Sequence, residues 1–428
     1  MSEIGVVSLG CAKNRVDTER MLGILEGMGH RIVNDPGEAS VLIVNTCGFI
    51  EPAKQESINT ILEMAAYKKT GRCKTLVVTG CLSERYRKEL TEGLPEVDLF
   101  LGVHEYEKLP ELLPGPGGSA CKSPSRRLTT PFYSAYLRIG DGCSNRCAYC
   151  AIPLIRGPLH SVPMEQLVGE AKALVDNGVS ELTLIAQDTS GYGVDLYGKP
   201  MLLPLMEELS KLPALRFLRV LYTYPDTVDT ELVRGIAENE KICNYLDMPL
   251  QHIDDEILRR MHRRGSRAHI ERVLAYIREN EPGFTLRTTM MVGFPGETDA
   301  QFQSMLDFLR EYPFDRLGAF AFSPEENTAA ANMPGQIPER VKQERLSALM
   351  KQQKEISRAR NALRVGQTVE VLLEGTRNGV TKGRSRAEAP EVDGAILLPA
   401  KPHHRPGMYV RAVLTQALDY DMRGEELP

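Results

Sequence analysis

The stretch Cys-Ser-Asn-Arg-Cys-Ala-Tyr-Cys, residues 143–150, decides how the rest of the chain is interpreted. Its three cysteines have the spacing C-x3-C-x2-C and follow an apolar run (135–139) and the turn sequence Gly-Asp-Gly (140–142). The apolar run predicts a buried strand, so the cysteines lie in a loop at its carboxyl end. A loop this short can place three thiolates around one iron–sulfur cubane and leave the fourth iron without a protein ligand. A small molecule can then bind that open iron directly.

A zinc knuckle is the alternative for the same three cysteines, with a fourth ligand from elsewhere in the chain. Structural zinc sites usually draw their ligands from two spaced pairs, and the sequence holds no C-x2-C pair to partner this motif. The spacing therefore favours an iron–sulfur cluster over zinc, and a metal analysis would separate the two.

With Tyr149 before its last cysteine, the motif resembles the signature of the radical S-adenosylmethionine (SAM) enzymes. In that family the amino and carboxylate groups of SAM chelate the open iron. One electron from the cluster then cleaves the sulfonium and yields a 5′-deoxyadenosyl radical. The resemblance implies that Cys143, Cys147 and Cys150 hold a [4Fe–4S] cluster that binds SAM.

The composition is that of an ordinary globular protein with room for two or three domains. A chain of 428 residues with 42% hydrophobic and 25% charged residues can bury more than one core. The net charge of −5 does not indicate a nucleic-acid or membrane partner. No apolar run approaches the roughly 18 residues needed to span a bilayer, and we expect a cytoplasmic protein. Nine cysteines in a reducing compartment are then ligands or buried thiols rather than disulfides.

Three predicted strands in the first hundred residues each lead to a cysteine. Apolar runs at 4–9, 41–44 and 75–78 are followed by Cys11, Cys47 and Cys81, and helical patterns lie between them at 17–28 and 53–66. This alternation predicts a parallel sheet with right-handed crossovers. The carboxyl ends of parallel strands lie along one edge, so we expect the three cysteines to converge on a second three-thiolate site. The alternative for any one of them is a small buried residue.

The other cysteines show no such arrangement. Cys73 precedes a strand, Cys121 lies in a segment rich in Pro, Gly and Ser, and Cys243 closes a helical segment. We predict that none of them is a ligand. The Pro- and Gly-rich segment marks a linker at 116–130 after a first domain at 1–115.

Strands and helices alternate again in the second predicted domain, residues 131–363. Six βα units predict an open partial (βα)6 barrel with its functional residues at the carboxyl ends of the strands. Polar residues lie there: Gln187, Asp188, Tyr222, Tyr224, Gln251, His252, the turn 293–297, Ser323 and Pro324. Each could bind SAM or the substrate, and each could equally cap a helix or shape a turn. The glycines of 293–297 favour a tight strand-to-helix turn.

The last predicted domain, residues 364–428, has an apolar period of two. This pattern, as in Val-Glu-Val-Leu-Leu-Glu (369–374), predicts a small antiparallel β-barrel. Such barrels often bind RNA through basic patches and exposed aromatic residues. Residues 363–428 hold nine Lys and Arg against nine Asp and Glu. This balance favours a protein partner and leaves direct RNA binding open.

The whole chain resembles the methylthiotransferases, a radical SAM family with an N-terminal three-cysteine domain, a radical core and a C-terminal TRAM barrel. One branch modifies an adenosine of tRNA. The other, the RimO type, modifies an aspartate of the small-subunit ribosomal protein S-twelve. The stretches that resemble the RimO type are 8–19 (Ser-Leu-Gly-Cys-Ala-Lys-Asn-Arg-Val-Asp-Thr-Glu), 45–50, 141–153, 185–193, 245–252 and 292–298. The tRNA branch typically has Met-Asn before Asp-Ser-Glu near the first cysteine, and this chain does not.

The resemblance implies two [4Fe–4S] clusters with separate tasks. The cluster at Cys143, Cys147 and Cys150 generates the radical that removes a hydrogen atom from the aspartate β-carbon. The auxiliary cluster at Cys11, Cys47 and Cys81 holds an exogenous sulfur, which one SAM methylates before the methylthio group is delivered. The resemblance also implies a sulfur donor and an electron donor such as flavodoxin.

The SAM pocket is the least defined part of this prediction. The Gly-Gly-Glu element common in radical SAM enzymes is absent, and Gln187 and Asp188 stand in its place. These two residues and Tyr149 are the candidates for contacts to SAM. Two other functions stay open: a tRNA-modifying methylthiotransferase, and a zinc-stabilised RNA-binding protein whose β-barrel performs the function.

Overall fold

A parallel sheet forms the N-terminal domain in the computed structural model, which describes residues 2–115 and 126–428. The strands are β1 (Glu3–Ser8), β2 (Arg31–Val33), β3 (Val41–Thr46), β4 (Thr75–Gly80) and β5 (Leu99–Phe100), in the order β2-β1-β3-β4-β5. The helices are α1 (Ala12–Gly27), α2 (Glu51–Thr70), α3 (Cys81–Arg85), α4 (Arg87–Gly93) and α5 (Leu109–Leu112), with a 3-10 helix at Glu105–Lys108. All four strand pairings are parallel, as predicted.

The three strands that lead to cysteines are neighbours at the centre of this sheet. Strand β3 is buried along its whole length because apolar clusters cover both faces of the sheet. The helix predicted at 17–28 begins earlier, at Ala12, directly after Cys11. Part of the predicted linker, residues 116–125 with Cys121, lies outside the described residues.

Six parallel strands form the central domain. They are β6 (Ser134–Arg138), β9 (Glu181–Ile185), β10 (Phe217–Val220), β11 (Tyr245–Asp247), β12 (Thr285–Val292) and β13 (Arg316–Ala321), and a short hairpin of β7 (Gly140–Asp141) and β8 (His160–Ser161) follows β6. A parallel bridge from Leu218 to Ile242 joins the two three-stranded sheets at β10 and β11. In the described part of the chain β6 and β13 do not pair, so the barrel is open, as predicted.

Helices alternate with the strands of this barrel along the chain. They are α6 (Ile152–Arg156), α7 (Met164–Asp176), α8 (Val194–Tyr197), α9 (Leu202–Ser210), α10 (Thr230–Ala237), α11 (Asp255–Arg260), α12 (Arg267–Asn280), α13 (Asp299–Glu311) and α14 (Glu339–Ala362), with 3-10 helices at Pro225–Thr227 and Ala329–Asn332. The apolar stripes of α7, α9, α10, α12, α13 and α14 share one large buried cluster with the strands. No helix among the described residues is long and apolar enough to cross a membrane.

A closed five-stranded barrel ends the chain. Its strands are β14 (Thr368–Arg377), β15 (Val380–Arg384), β16 (Ile396–Pro399), β17 (Tyr409–Ala417) and β18 (Met422–Glu426), in the order β14-β15-β16-β18-β17. Four of its pairings are antiparallel, and the β16–β18 pairing is parallel. A buried pair attaches it to the central domain: both terminal nitrogens of Arg384 donate to the Glu181 carboxylate at 2.7 Å.

Candidate functional site

Six cysteines from two domains line one cavity of about 370 Å³. The N-terminal domain contributes Cys11, Cys47 and Cys81, which follow β1, β3 and β4, and the central domain contributes Cys143, Cys147 and Cys150, which follow β7. Cys73 and Cys243 are buried and do not line this cavity. The structure thus brings together all six residues predicted as ligands.

Two glycines allow the N-terminal cysteine loops to pack closely. Gly10 has a φ of +85°, and a Cβ at this position would lie 2.8 Å from the Cβ of Cys47. Gly80 has a φ of +95°, and a Cβ there would lie 2.5 Å from the carbonyl oxygen of Thr46. Only glycine satisfies both the backbone conformation and the short approach, so these residues let the strand ends converge.

Asn14, in the first turn of α1, ties the same loops together by hydrogen bonds. Its Nδ2 donates to the carbonyl oxygens of Leu9 (3.1 Å) and Thr46 (2.8 Å). Its Oδ1 accepts from the Cys81 thiol (3.4 Å) and from Nη2 of Arg156 (2.8 Å). Asn14 is fully buried, so these bonds are not exposed to competing water and hold the loops in one arrangement.

The loop with the other three cysteines is held by its own set of contacts. The N–H of Cys143 donates to the carbonyl oxygen of Gly157 (3.1 Å). Nδ2 of Asn145, inside the motif, donates to Oδ2 of Asp188 (2.6 Å), while Ser190 Oγ donates to Oδ1 of the same carboxylate (2.7 Å). Asp188 does not line the cavity, but its carboxylate holds the cysteine loop through the hydrogen bond from Asn145.

Among the residues predicted for the SAM pocket, Tyr149 and Gln187 line the cavity. Nε2 of Gln187 donates to Oδ1 of Asp141 (2.8 Å). Its Oε1 is buried and has no hydrogen-bond partner among the described residues, and the same holds for Oε1 of Gln251. Two residues of the cavity lining thus carry an amide oxygen that is buried without a donor.

His252 and the turn 293–297 lie outside the cavity lining. Nδ1 of His252 accepts the N–H of Asp254 (3.0 Å), and burial lowers the pKa of His252 to about 4, so its ring is neutral at pH 7. Gly293 has a φ of +73°, and its N–H donates to Oε2 of Glu297 (2.8 Å). This segment forms the tight turn that the glycines predicted.

Burial disfavours the thiolate form of several cavity cysteines. It raises the pKa of Cys150 to about 12 and that of Cys143 to about 11. Burial also raises the pKa of Cys81 to about 12, although the Arg156 guanidinium acts in the opposite direction. A centre that binds these sulfurs as thiolates must therefore bring positive charge of its own.

The sulfur atoms of neither group of three cysteines have the spacing of a single-ion site. Within the described residues, the three sulfur atoms of each group do not all lie within 4.8 Å of one another. A tetrahedral zinc ion with Zn–S bonds of about 2.3 Å needs sulfur atoms about 3.8 Å apart. In a cubane each thiolate binds a different iron, so the ligand sulfurs lie further apart. The sulfur atoms as placed are therefore too far apart for all three of either group to bind one zinc ion.

Three cations and no carboxylate line the described cavity: Lys13, Arg156 and Arg263. Arg263 Nη2 donates to the carbonyl oxygen of Pro249 (2.6 Å), and Nη1 donates to Oη of Tyr149 (3.1 Å). Nζ of Lys13 lies 3.1 Å from the centroid of the Tyr222 ring. Burial lowers the pKa of Lys13 to about 8, which leaves the amine mostly charged at pH 7.

A buried ionic network fixes the two cysteine-bearing domains against each other. Arg156 Nη2 pairs with Oδ2 of Asp17 in α1, and Nη1 pairs with Oδ2 of Asp141, both at 2.8 Å. Arg138 pairs with the same two carboxylates. Burial alone would raise the pKa of Asp141, but the guanidinium groups of Arg138 and Arg156 outweigh it and lower the pKa to about 2. The network joins the two domains that carry the two groups of cysteines.

Comparisons with known proteins cover the whole chain. The uncharacterized protein family UPF0004 matches residues 3–102, the radical SAM superfamily matches residues 137–309, and the TRAM domain matches residues 365–426. The ribosomal protein uS12 methylthiotransferase RimO of Pelotomaculum thermopropionicum is 46% identical over 438 residues, which cover 99% of each chain. The RimO of Thermoanaerobacter sp. (strain X514) is 47% identical over 437 residues, which cover 99% of this chain and all of the relative.

The chain belongs to the RimO family of radical SAM methylthiotransferases.

Membership in the radical SAM superfamily implies one [4Fe–4S] cluster and SAM. The fold agrees with a solved structure, the radical SAM methyltransferase TsrM from Kitasatospora setae with cobalamin and a [4Fe-4S] cluster bound. The two share a TM-score of 0.55 and 14% identity, over 95% of this chain and 83% of TsrM.

The sequence did not indicate which cations line the cavity with the six cysteines. Lys13 lies two residues after a predicted ligand, and Arg156 lies six residues after another. Nearness to a predicted ligand was the one local signal that could have identified them. Their partners, Tyr222, Asp17 and Asp141, come from distant parts of the chain.

Proposed function

We propose that this protein transfers a methylthio group to the β-carbon of an aspartate of ribosomal protein uS12. The observation that carries the proposal is the placement of two groups of three cysteines, from two domains, on one cavity. An unactivated C–H bond is cut by a radical, and the resulting carbon radical needs a sulfur donor within bonding distance. One cavity with two sites meets both requirements.

The proposal assigns Cys143, Cys147 and Cys150 to the radical SAM [4Fe–4S] cluster and Cys11, Cys47 and Cys81 to an auxiliary [4Fe–4S] cluster. When bound, these groups and two SAM molecules would supply the electron, the 5′-deoxyadenosyl radical, the methyl group and the sulfur. A sulfur donor and an electron donor such as flavodoxin complete the reaction. Its substrate is a ribosomal protein, so we place the reaction in the cytoplasm.

The protein's own residues bind and orient the reactants. Gln187, Gln251 and Tyr149 line the cavity and contact SAM or the substrate there. Asp188 acts indirectly, through its hydrogen bond to Asn145 in the cysteine loop. The Asp17–Arg156–Asp141 network sets the distance between the two groups of cysteines.

The substrate test offers purified uS12 and purified tRNA to the anaerobically prepared protein with SAM, sulfide and reductant. Mass spectrometry should detect a methylthio group on an aspartate of uS12 and none on tRNA. A methylthio group on tRNA alone would replace the proposal with the tRNA-modifying function. Zinc without iron or acid-labile sulfide in the purified protein would refute any radical mechanism.

The two sites are separated by single substitutions. Cys147→Ala should abolish the formation of 5′-deoxyadenosine and leave the N-terminal cluster in place. Cys47→Ala should allow 5′-deoxyadenosine to form but stop sulfur insertion. Cys73→Ala is the matched control, because this buried cysteine lies away from the cavity and should change neither readout. Full product formation by Cys47→Ala would make the N-terminal site merely structural.

A further inference from the structure

Lys13 is a buried cation at the cavity whose hydrogen-bonding capacity is unused. Its residue is 8% exposed, and among the described residues no carboxylate lies within ion-pair distance of Nζ and no acceptor takes a hydrogen bond from it. An ammonium group has three donors, and none of the three has a partner among the described residues. The ring of Tyr222 stabilises the charge from one side only, at 3.1 Å from its centroid.

The other two cations at the cavity are already engaged. Arg156 pairs with Asp17 and Asp141. Arg263 donates to the carbonyl oxygen of Pro249 and to Tyr149, and its guanidinium lies 4.4 Å from the Tyr224 ring centroid. No Asp or Glu of the described chain lines the cavity. Lys13 is therefore the cation best able to take an anionic group that enters.

The position of Lys13 suits a group that must lie between the two sites. Lys13 comes two residues after Cys11, on the side of the cavity formed by the N-terminal domain. Tyr222 belongs to the central domain, just after β10, and its N–H donates to Oδ2 of Asp247 (2.8 Å). The Tyr222 backbone has a φ of +63°, an uncommon conformation for a non-glycine residue that the surrounding contacts must maintain. The ammonium is thus held where the two domains meet.

We propose that Lys13 binds the side-chain carboxylate of the substrate aspartate. This inference rests on the function proposed above and names the residue that recognises the target side chain. The carboxylate carbon is bonded directly to the β-carbon, so an ammonium that holds the carboxylate also fixes the reacting carbon beside the N-terminal site. It selects aspartate over asparagine, because a neutral amide cannot form the charge-assisted pair.

The test is a two-by-two comparison of binding without turnover. Wild-type protein and Lys13→Met are titrated with labelled uS12 and with uS12 whose target aspartate is changed to asparagine, anaerobically, with SAM but without reductant. Wild-type protein should bind the aspartate form about 10- to 100-fold more tightly than the asparagine form. Lys13→Met should bind the aspartate form as weakly as it binds the asparagine form. Lys13→Arg should recover part of the preference for aspartate.

Two controls exclude a general loss of structure. Lys172→Met removes an exposed lysine, paired with Asp176 on α7, and should behave as wild type. Iron, sulfide and the thermal unfolding midpoint are measured for Lys13→Met. If Lys13→Met loses iron, the affinities of Lys13→Gln and Lys13→Arg for the two uS12 forms are compared instead. Only the cationic variant, Lys13→Arg, should bind the aspartate form more tightly than the asparagine form.

The outcomes separate this inference from the proposed function. If wild-type protein modifies uS12 and Lys13→Met keeps the full preference for aspartate, the assignment of Lys13 is wrong while the function stands. Equal losses of affinity for both uS12 forms in Lys13→Met also refute it. If wild-type protein neither binds nor modifies uS12, the proposed function is wrong, and the role of Lys13 is refuted with it.

Discussion

Replacing Arg156 with methionine should weaken the attachment of the N-terminal domain to the barrel. The guanidinium is buried, at 4% exposure, and bridges Asp17 and Asp141 with two contacts of 2.8 Å. Removing one partner of a buried ion pair costs about 3–5 kcal/mol. Arg138 still pairs with both carboxylates, so we expect the lower end, about 3 kcal/mol. This corresponds to a domain-opening equilibrium that is shifted by about 100-fold.

Native-state proteolysis measures this opening. When opening and closing are fast relative to cleavage, the cleavage rate follows the population of the open form. Cleavage between the first two domains should therefore be about 100-fold faster in Arg156→Met than in wild type. Asp17→Asn should have a similar effect and is the cleaner variant, because Arg156 Nη2 also lies 3.8 Å from the Cys81 sulfur.

The matched control is Arg340→Met, which removes an exposed pair with Glu344 on α14. Such a surface pair contributes about 0.3–0.5 kcal/mol, so the cleavage rate of Arg340→Met should not differ measurably from that of wild type. The yield of methylthiolated product per 5′-deoxyadenosine should also fall in Arg156→Met, since the two sites are no longer held together. A cleavage rate within threefold of wild type in both Arg156→Met and Asp17→Asn would refute the role of the network.

Two further predictions concern the packing of the cysteine loops and the C-terminal barrel. Gly10→Ala should lose about half of the bound iron, because its Cβ would lie 2.8 Å from the Cβ of Cys47. The control Gly93→Ala has open space around the new Cβ and should keep all of its iron. Iron analysis measures both variants, and a full iron content in Gly10→Ala would contradict the packing argument. Burial would raise the pKa of Glu388, but Arg364 and Arg316 outweigh it and lower the pKa to about 2. The stabilisation from this carboxylate is therefore present above about pH 4.5 and is lost as the pH falls towards 2, so the thermal unfolding midpoints of wild type and Glu388→Gln should converge between pH 6 and 3. A constant difference between the midpoints over that range would show that Glu388 titrates normally.

The sequence was sufficient for the parts of the fold that depend on local pattern. Continuous apolar runs predicted the parallel strands, and the geometry of parallel sheets alone predicted that Cys11, Cys47 and Cys81 converge. The period-two pattern after Val365 predicted the small barrel. These features are repeated over many residues, so a single exception does not change the interpretation.

The sequence was not sufficient for contacts made between domains. Asp188 was a candidate for the SAM pocket, but its carboxylate is directed to Asn145 in the cysteine loop. Asp17 is a polar residue within a helical pattern, and only the docking of the barrel buries it against Arg156 and Arg138. The partners are more than 120 positions apart, and no periodicity connects them. Lys13 is buried for the same reason.

The central claim is that two clusters, each bound through three thiolates, share one cavity. Iron and acid-labile sulfide per chain test it most directly, in wild type and in two variants that replace Cys11, Cys47 and Cys81, or Cys143, Cys147 and Cys150, with alanine. We predict about eight irons and eight sulfides in the wild type and about four of each in either variant. The claim would be contradicted if either triple variant retained the wild-type iron content, or if the wild type held only about four irons after full anaerobic reconstitution.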